Sequence, residues 1–235
     1  MHRHSSMNRV YRLVWNEATG LWVAVAEMAR GRGKSGTGRR RLAALLALNI
    51  GAVTLPPALA GPLDGIVIDR RTQTTLSPVG NNVDIRTQTI KGVNAFNSFS
   101  KFDVQAGVTA NMHLPTGASN LINLVSGSRS QIDGVLNSMR NGAIGGNVWF
   151  VNPHGLMVGN SGVVNVGSLH VSTPTQQFVD HFFRAGLPDD ASVAQLLGGT
   201  APRNPNSLVS IQGRINAVNG VALSAGAIQV SGAIY

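Results

Sequence analysis

From residue 61 to the carboxyl terminus, the chain is a succession of short β-forming runs interrupted by Gly and Asn. Residues 82–85 alternate polar and apolar side chains, and the short β-forming runs 156–158, 163–166 and 169–171 follow one another closely. Runs this short need frequent turns, and Gly and Asn are residues that turns favour. The pattern predicts an all-β domain built from many short strands.

The spacing of the last β-forming runs indicates how these strands are arranged. Ile211 and Ile228 are 17 residues apart, and Ile215 and Ile234 are 19 apart. A near-constant spacing with Gly or Asn corners is typical of coils that stack on one another, as in a parallel β-helix. Crossovers between parallel strands are right-handed, so we predict a right-handed β-helix. An ordinary β-sandwich also uses short strands and turns, and the spacing alone leaves that alternative open.

Residues 174–198 break the β pattern. Pro174 is expected in the first turn of a helix, and Phe178, Val179, Phe182 and Phe183 recur at helical spacing. Asp189 or Asp190 is expected to cap a second short helix that ends at Gly198. We predict a short helical insertion on the side of the β-helix. Its aromatic residues serve core packing in this interpretation, with a partner site as the alternative.

The formal net charge of +9 is unevenly distributed. Residues 1–60 hold nine Arg and Lys and two Glu, a balance of +7, whereas residues 61–235 hold ten Arg and Lys and eight Asp, a balance of +2. Nucleic-acid binding needs the positive charge on the folded domain, so no nucleic-acid partner is expected. The chain has no Cys, which excludes disulfides and Cys-based metal sites.

Residues 39–61 have the pattern of a cleaved secretory signal. Three Arg at 39–41 precede an apolar run at 42–55, which is shorter than the roughly 20 residues of a membrane span. Ala58 and Ala60 then place small residues at the positions that signal peptidase reads. We predict export through the Sec machinery and cleavage between Ala60 and Gly61. A buried helix or a retained anchor is the alternative.

About forty residues precede that apolar run, and they carry a motif of their own. Residues 11–16 read YRLVWN, residues 22–27 read WVAVAE and residues 29–34 read ARGRGK. This stretch resembles the extended signal peptide region of very large exported proteins of Gram-negative bacteria. In that family the extension begins near Met-Asn, which suggests Met7 as the true start. The predicted division is therefore an extended signal peptide at residues 1–60 and a second domain at residues 61–235.

The second domain resembles the two-partner secretion (TPS) domain of filamentous haemagglutinin-type exoproteins. The resemblance covers about residues 64–173, and Asn94, Phe96, Phe99 and Phe102 belong to its early signature. It is most specific at residues 146–159, GNVWFVNPHGLMVG, which contain Asn152-Pro153-His154-Gly155. Many members also carry an upstream Asn-Pro-Asn-Leu motif. Here the comparable residues, 118–121, read ASNL, and the NPNS at residues 204–207 stands elsewhere, so no role is transferred from that motif.

The resemblance implies a right-handed parallel β-helix with an amino-terminal β cap. It also implies a partner, a dedicated outer-membrane β-barrel transporter with periplasmic POTRA domains, and a chain that reaches the cell surface or the medium through the periplasm. In the family this domain heads a longer adhesin, haemolysin or toxin. Two alternatives stay open: a module that itself binds a host surface or carbohydrate, and an enzyme carried on a β-helix that acts on polysaccharide.

The residues give little support to catalysis. The histidines after residue 60 are His113, His154, His170 and His181, and none has the close spacing of a zinc motif. We predict no catalytic, cofactor or metal site. Asn152, Pro153, His154 and Gly155 are instead expected to form a turn that acts through backbone geometry: Pro presets the second turn position, Asn bonds the backbone ahead of it, and Gly accepts a conformation closed to other residues.

Overall fold

The computed structural model describes residues 11–16, 21–26, 61–184 and 186–235. The chain divides into two units, Met1–Thr54 and Leu55–Tyr235. In the first, strands β1 (Tyr11–Asn16) and β2 (Leu21–Ala26) pair antiparallel, with Trp15 opposite Trp22. The predicted apolar signal run, Ala58 and Ala60 lie outside the described residues.

The second unit is built from short strands, with two helices in its described part. Its amino-terminal strands are β3 (Ile66–Ile68), β4 (Thr74–Val79), β5 (Asn82–Thr87), β6 (Ile90–Lys91) and β7 (Asn94–Phe102). The central strands are β8 (Thr109–His113), β9 (Asn120–Val125), β10 (Ser130–Ile132), β11 (Val135–Arg140), β12 (Ala143–Ile144), β13 (Asn147–Val151), β14 (Leu156–Val158), β15 (Val163–Val166) and β16 (Ser168–Ser172). Then follow α1 (Gln176–His181), β17 (Phe183–Arg184), β18 (Leu187–Pro188), α2 (Asp190–Leu197), β19 (Leu208–Ile211), β20 (Arg214–Ala217), β21 (Val221–Ser224), β22 (Ala227–Val230) and β23 (Ala233–Ile234).

Apart from β17 and β18, which pair only with each other, these strands form three sheets that the chain visits in rotation. Face 1 has the order β10-β14-β19-β22, face 2 the order β4-β5-β8-β11-β15-β20-β23, and face 3 the order β3-β7-β9-β13-β16-β21. Successive strands of one face pair in parallel, as β13 does with β9 and β16. The chain passes from face 1 to face 2 to face 3 in each coil, which makes the domain a parallel β-helix and confirms that prediction.

Alternating side chains fill the interior of the coils. In β15, Val164 and Val166 point inward and are buried, whereas Val163 and Asn165 are half-buried. This period of two is the one that the sequence shows, since neighbouring residues of a strand point to opposite faces. One continuous apolar cluster runs through the coils from Ile66 to Ala225. Burial of each Val, Leu, Ile or Phe in it contributes roughly 1.5–3 kcal/mol.

The register corrects one of the predicted spacings. Ile215 pairs with Ile234, so the 19-residue repeat is confirmed. Ile211 does not pair with Ile228; it pairs with Val230, and Ile228 pairs with Val209. The 17-residue spacing was wrong because β19 and β22 lie in successive coils and pair throughout at an offset of 19 residues, which places Ile228 beside Val209 at an exposed position.

The amino-terminal end of the helix is antiparallel. Strands β4 and β5 form a hairpin, and β3 and β6 both pair antiparallel with β7. This is the expected β cap. Residues 94–102, whose sequence fits strand and loop equally well, form the nine-residue strand β7, with Phe96, Phe99 and Phe102 buried.

The helical insertion is present but differs in detail from the prediction. The chain leaves the coil after Thr173 and returns at Asn204, whose N–H donates to the Thr173 carbonyl at 2.9 Å. Pro174 is not in the first turn: Thr175 is the N-cap of α1, and Pro174 bridges to Arg203 instead. Asp189 caps α2, and Gly198 ends it, as predicted. A hairpin of β17 and β18, which the sequence did not indicate, separates the helices. We call residues 174–203 the insertion.

The insertion covers the outer surface of face 3. Its buried residues make one apolar cluster with outward residues of β7, β9 and β13; the members are Phe96, Ile122, Leu124, Val151, Phe178, Val179, Phe182, Val193 and Leu196. Arg71 of the cap donates to the Val179 carbonyl, and Lys91 of the cap pairs with Asp190. The aromatic residues therefore serve core packing. Among the described residues, no helix is long and apolar enough to cross a membrane.

Candidate functional site

Residues 152–155 form the corner through which the chain turns from β13 of face 3 to β14 of face 1. The Gly155 N–H donates to the Asn152 carbonyl at 3.1 Å and closes a β-turn. The His154 N–H donates to Oδ1 of Asn152 at 2.9 Å, which is the local bond that an Asn in this position makes. The turn therefore has the geometry that its sequence predicts, with both flanking runs in strands.

The side chain of Asn152 also reaches the preceding coil. It is 1% exposed, and its Nδ2 donates to the Ser128 carbonyl at 2.8 Å and to Oγ of Ser130 at 3.0 Å. Its backbone N–H donates to the Ser172 carbonyl of the following coil. One residue thus joins three successive coils, and the hydrogen bonds of the buried amide offset the cost of removing it from water.

Residue 155 must be Gly both because of its backbone conformation and because no space is left for a side chain. Its φ is +99°, a region that residues with a Cβ rarely adopt. A Cβ at this position would also lie far inside van der Waals contact with the backbone carbonyl of Leu208 in the next coil. The corner can therefore stack this closely only when residue 155 has no side chain.

The other two residues of the turn have different surroundings. Pro153 is buried, and its carbonyl accepts a bond of 2.7 Å from Nδ2 of Asn204. His154 is exposed, and its imidazole makes one contact, at 3.3 Å from Nε2 to the Ser126 carbonyl. In the folded domain, His154 is the only member of the turn whose side chain faces solvent.

The same corner recurs in the neighbouring coils. Residues 126–129 turn the chain before β10, and residues 204–207 turn it before β19. In the latter, the Asn206 N–H donates to Oδ1 of Asn204 at 3.0 Å, which repeats the bond between His154 and Asn152. The NPNS sequence, unassigned by sequence reasoning, is therefore the counterpart of NPHG one coil later. We call residues 126–129, 152–155 and 204–207 the stacked corner. The insertion leaves the coil at this corner, directly before residue 204.

Two outward ladders of Asn accompany the coils, and sequence reasoning missed both. On face 2, Asn111, Asn137, Asn165 and Asn216 bond side chain to side chain at separations of 26, 28 and 51 residues. On face 3, the amide of Asn120 bonds to Asn94, and that of Asn147 bonds to Asn120. The recurrence of Asn every 26 to 28 residues was the available signal.

The titratable groups of the described residues do not assemble a reactive site. Asp84 accepts bonds from Asn111 and Arg86, and Nε2 of His113 lies 3.1 Å from its Oδ1. The bond from His113 is the main reason that the pKa of Asp84 lies below its ordinary value. Burial lowers the pKa of His170, which stacks on Trp149. Within the described ranges, no group of three or more metal-ligating side chains gathers.

Two protein families match this chain. The family described as "Extended Signal Peptide of Type V secretion system" matches residues 7–56. The family described as "TPS secretion domain" matches residues 65–234. The first match begins at the Met7 that was suggested as the start.

Among solved structures, the HMW1 secretion domain from Haemophilus influenzae is similar to this chain. The TM-score is 0.50 at 18% sequence identity, and the match covers 72% of this chain and 41% of that one. At this identity the likeness bears on the fold alone, and this chain spans less than half of the solved domain.

Proposed function

The chain belongs to the family of TPS secretion domains, and on this premise we propose how its leader, a transporter partner and the stacked corner act in export. The resemblances in residues 11–34 and 64–173 are thereby confirmed. The chain is the secretion domain of a two-partner exoprotein of a Gram-negative bacterium, and it travels through the periplasm to the surface. Its family is a secretion module and not a family of enzymes.

The leader delivers the chain to the Sec machinery of the inner membrane and is then removed. The support is the order of the two matches, residues 7–56 and then 65–234, with Ala58 and Ala60 in the gap between them. Small residues two apart after an apolar run are what signal peptidase cleaves. Amino-terminal sequencing of the exported protein is expected to begin at Gly61. A mature protein that retains Trp15 or Trp22 would contradict this.

The released domain is recognised by a dedicated outer-membrane β-barrel with POTRA domains, and it folds outside the cell. The stacked corner acts in that folding step. In the folded domain Asn152, Pro153 and Gly155 are buried, so a partner has no access to them there. Their bonds join the coils before and after residue 152, so each new coil that emerges is locked onto the previous one, which favours outward movement.

The burial of Asn152, bonded to both neighbouring coils, carries this proposal. Its test is secretion of corner variants co-expressed with the transporter, together with refolding of the same variants from denaturant. If the corner acts through folding, variants that secrete poorly also refold poorly. A variant such as Asn152→Ala that refolds as the wild type but is not exported would show that the transporter reads the residue in the unfolded chain.

The domain is expected to head a longer adhesin or haemolysin-like protein. Binding of a host surface or of carbohydrate by the domain itself stays a prediction. Direct measurement of binding by the exported chain to host cells would test it.

A further inference from the structure

The outer surface of face 3 carries a column of side chains in register, one from each successive coil. The paired residues are Phe96, Ile122, Trp149, His170 and Ala222. The first two belong to the apolar cluster under the insertion, and Trp149 packs against its edge. The column thus consists of large side chains in four successive coils, and its next member, Ala222, is small.

Trp149 and His170 stack face to face within this column. Their ring centroids are 4.1 Å apart, and the ring planes differ by 8°. Neighbouring strands of a sheet lie about 4.8 Å apart. A ring at the next position of the column would therefore lie at stacking distance from the side of His170 that faces away from Trp149. Ala222 occupies that rung, and its side chain ends at Cβ.

The vacant position opens into a cavity of about 330 Å³ between face 3 and the end of α2. Leu196, Leu197 and Ala201 bound it from the insertion, and Ser172 and Ser224 bound it from the neighbouring column. The volume is at the lower end of the roughly 300–1,000 Å³ of ligand pockets. The cavity exists because the side chains of face 3 become small where α2 still overhangs them.

The chemistry of the walls limits what the cavity accepts. None of the described residues that line it is Asp, Glu, Lys or Arg, and burial lowers the pKa of His170 so that its ring is neutral near pH 7. The polar side-chain groups of its lining residues are two serine hydroxyls, the imidazole of His170 and the indole N–H of Trp149. A sugar needs several directed hydrogen bonds in addition to a ring platform, whereas an aromatic ring needs the platform and apolar walls.

We propose that this cavity binds a neutral aromatic ring, stacked on His170 above Ala222 and held against the apolar end of α2. The ring continues the column by one rung. The same chemistry is supplied by a free aromatic compound or by an aromatic side chain of a polypeptide. This site is separate from the stacked corner and does not depend on how the chain is exported.

Calorimetric titration of the exported full chain with indole tests the proposal. Ala222→Phe places a ring in the cavity from the protein itself and is expected to weaken indole binding at least about tenfold. Ala143→Phe, at an exposed position of β12, is the matched control and is expected to leave binding unchanged. Thermal melting of both variants checks that they remain folded. Equal binding by Ala222→Phe and wild type, or no binding of indole by wild type at millimolar concentration, would overturn the proposal.

Two further arms identify the ligand. His170→Ala removes the platform and is expected to weaken indole binding about three- to tenfold. Gly-Trp-Gly peptide and methyl galactoside are titrated in parallel with indole. Peptide binding that Ala222→Phe abolishes assigns the site to a side chain of a partner, and binding of indole alone assigns it to a small aromatic molecule. Binding of the galactoside in preference to both, with the same sensitivity to Ala222→Phe, would show a carbohydrate site and overturn the aromatic assignment.

Discussion

The stacked corner and the insertion lie next to each other, yet different forces hold them. At the corner, Asn152 is buried with its amide bonded to Ser128 and Ser130, and Gly155 leaves no space for a side chain. In the insertion, Phe178 and Phe182 pack on Phe96 and Val151 without directed bonds between side chains. Directed bonds and close backbone approach demand particular residues, whereas apolar packing demands volume. The corner should therefore reject conservative substitutions that the insertion accepts.

The largest expected effect is from loss of volume in the insertion. Phe182→Ala removes a fully buried ring that contacts Phe96 at 6.2 Å between centroids. It is expected to lower the free energy of unfolding by about 3–5 kcal/mol. Phe182→Leu keeps most of the volume and is expected to cost less than about 1.5 kcal/mol. Denaturation of both variants measures the difference, and equal losses would mean that packing volume is not what the insertion needs.

At the corner, Gly155→Ala is expected to cost about 3 kcal/mol, because the added methyl collides with the Leu208 backbone and φ is +99°. Gly142→Ala is the matched control. Its φ is +82°, but no atom lies within 4 Å of the added carbon. Strain without collision is expected to cost about 1 kcal/mol. If the two variants are equally stable, the close approach of the coils at residue 155 contributes nothing.

The sharpest contrast in stability with Phe182→Leu is expected from an equally conservative substitution of the Asn152 amide. Asn152→Asp has nearly the same shape but places a carboxylate against the Ser128 carbonyl, so it is expected to cost about 2–3 kcal/mol and to reduce secretion. His154→Asn changes an exposed side chain and is expected to cost under about 0.5 kcal/mol and to leave secretion intact. Secretion with the co-expressed transporter compares them. Loss of export with His154→Asn but not with Asn152→Asp would show that the imidazole acts and that the turn geometry does not.

A small effect on stability is also expected at Asp84, which begins the Asn ladder of face 2. The pKa of Asp84 is lowered mainly by the bond from His113, so its contribution to stability is present above the ordinary Asp pKa of about 3.9 and is lost as the pH falls through the lower folded value. The pair is partly exposed and its contribution is about 0.5 kcal/mol. Asp84→Asn is expected to be slightly less stable than wild type at pH 7, and this difference is expected to vanish once the pH falls below the lowered pKa of Asp84. A difference that grows in acid would have the wrong sign for this account.

Much of the stacked corner could be predicted from the sequence. Pro and Gly flanking His154 specify a turn through their own backbone preferences, and the apolar runs on both sides specify strands. What the turn touches could not be predicted. Ser128, Ser172 and Leu208 are 17 or more residues from the turn, and the coil length changes from 28 residues to 19 along the domain.

The insertion, too, could be predicted from the sequence only in part. The helix α2 was predicted with Asp189 or Asp190 as its N-cap and with its end at Gly198, because caps are encoded in neighbouring residues; the structure selects Asp189. The hairpin between the helices was not predicted, since its strands are two residues each and take their support from the packing around Phe183.

By itself the sequence determined the class of the molecule: an exported chain with an extended leader, an all-β domain of short strands and a turn at residues 152–155. Each of these follows from residues close together in the chain. The tertiary structure alone decided which residues meet across the coils: the pairing of Ile211 with Val230, the Asn ladders, the three coils joined by Asn152 and the vacant rung at Ala222. The reason is physical. Which residues of two parallel strands pair depends on how many residues the corners between those strands contain. The corner with the insertion holds 30 extra residues, so in the sequence the repeat appears to end there.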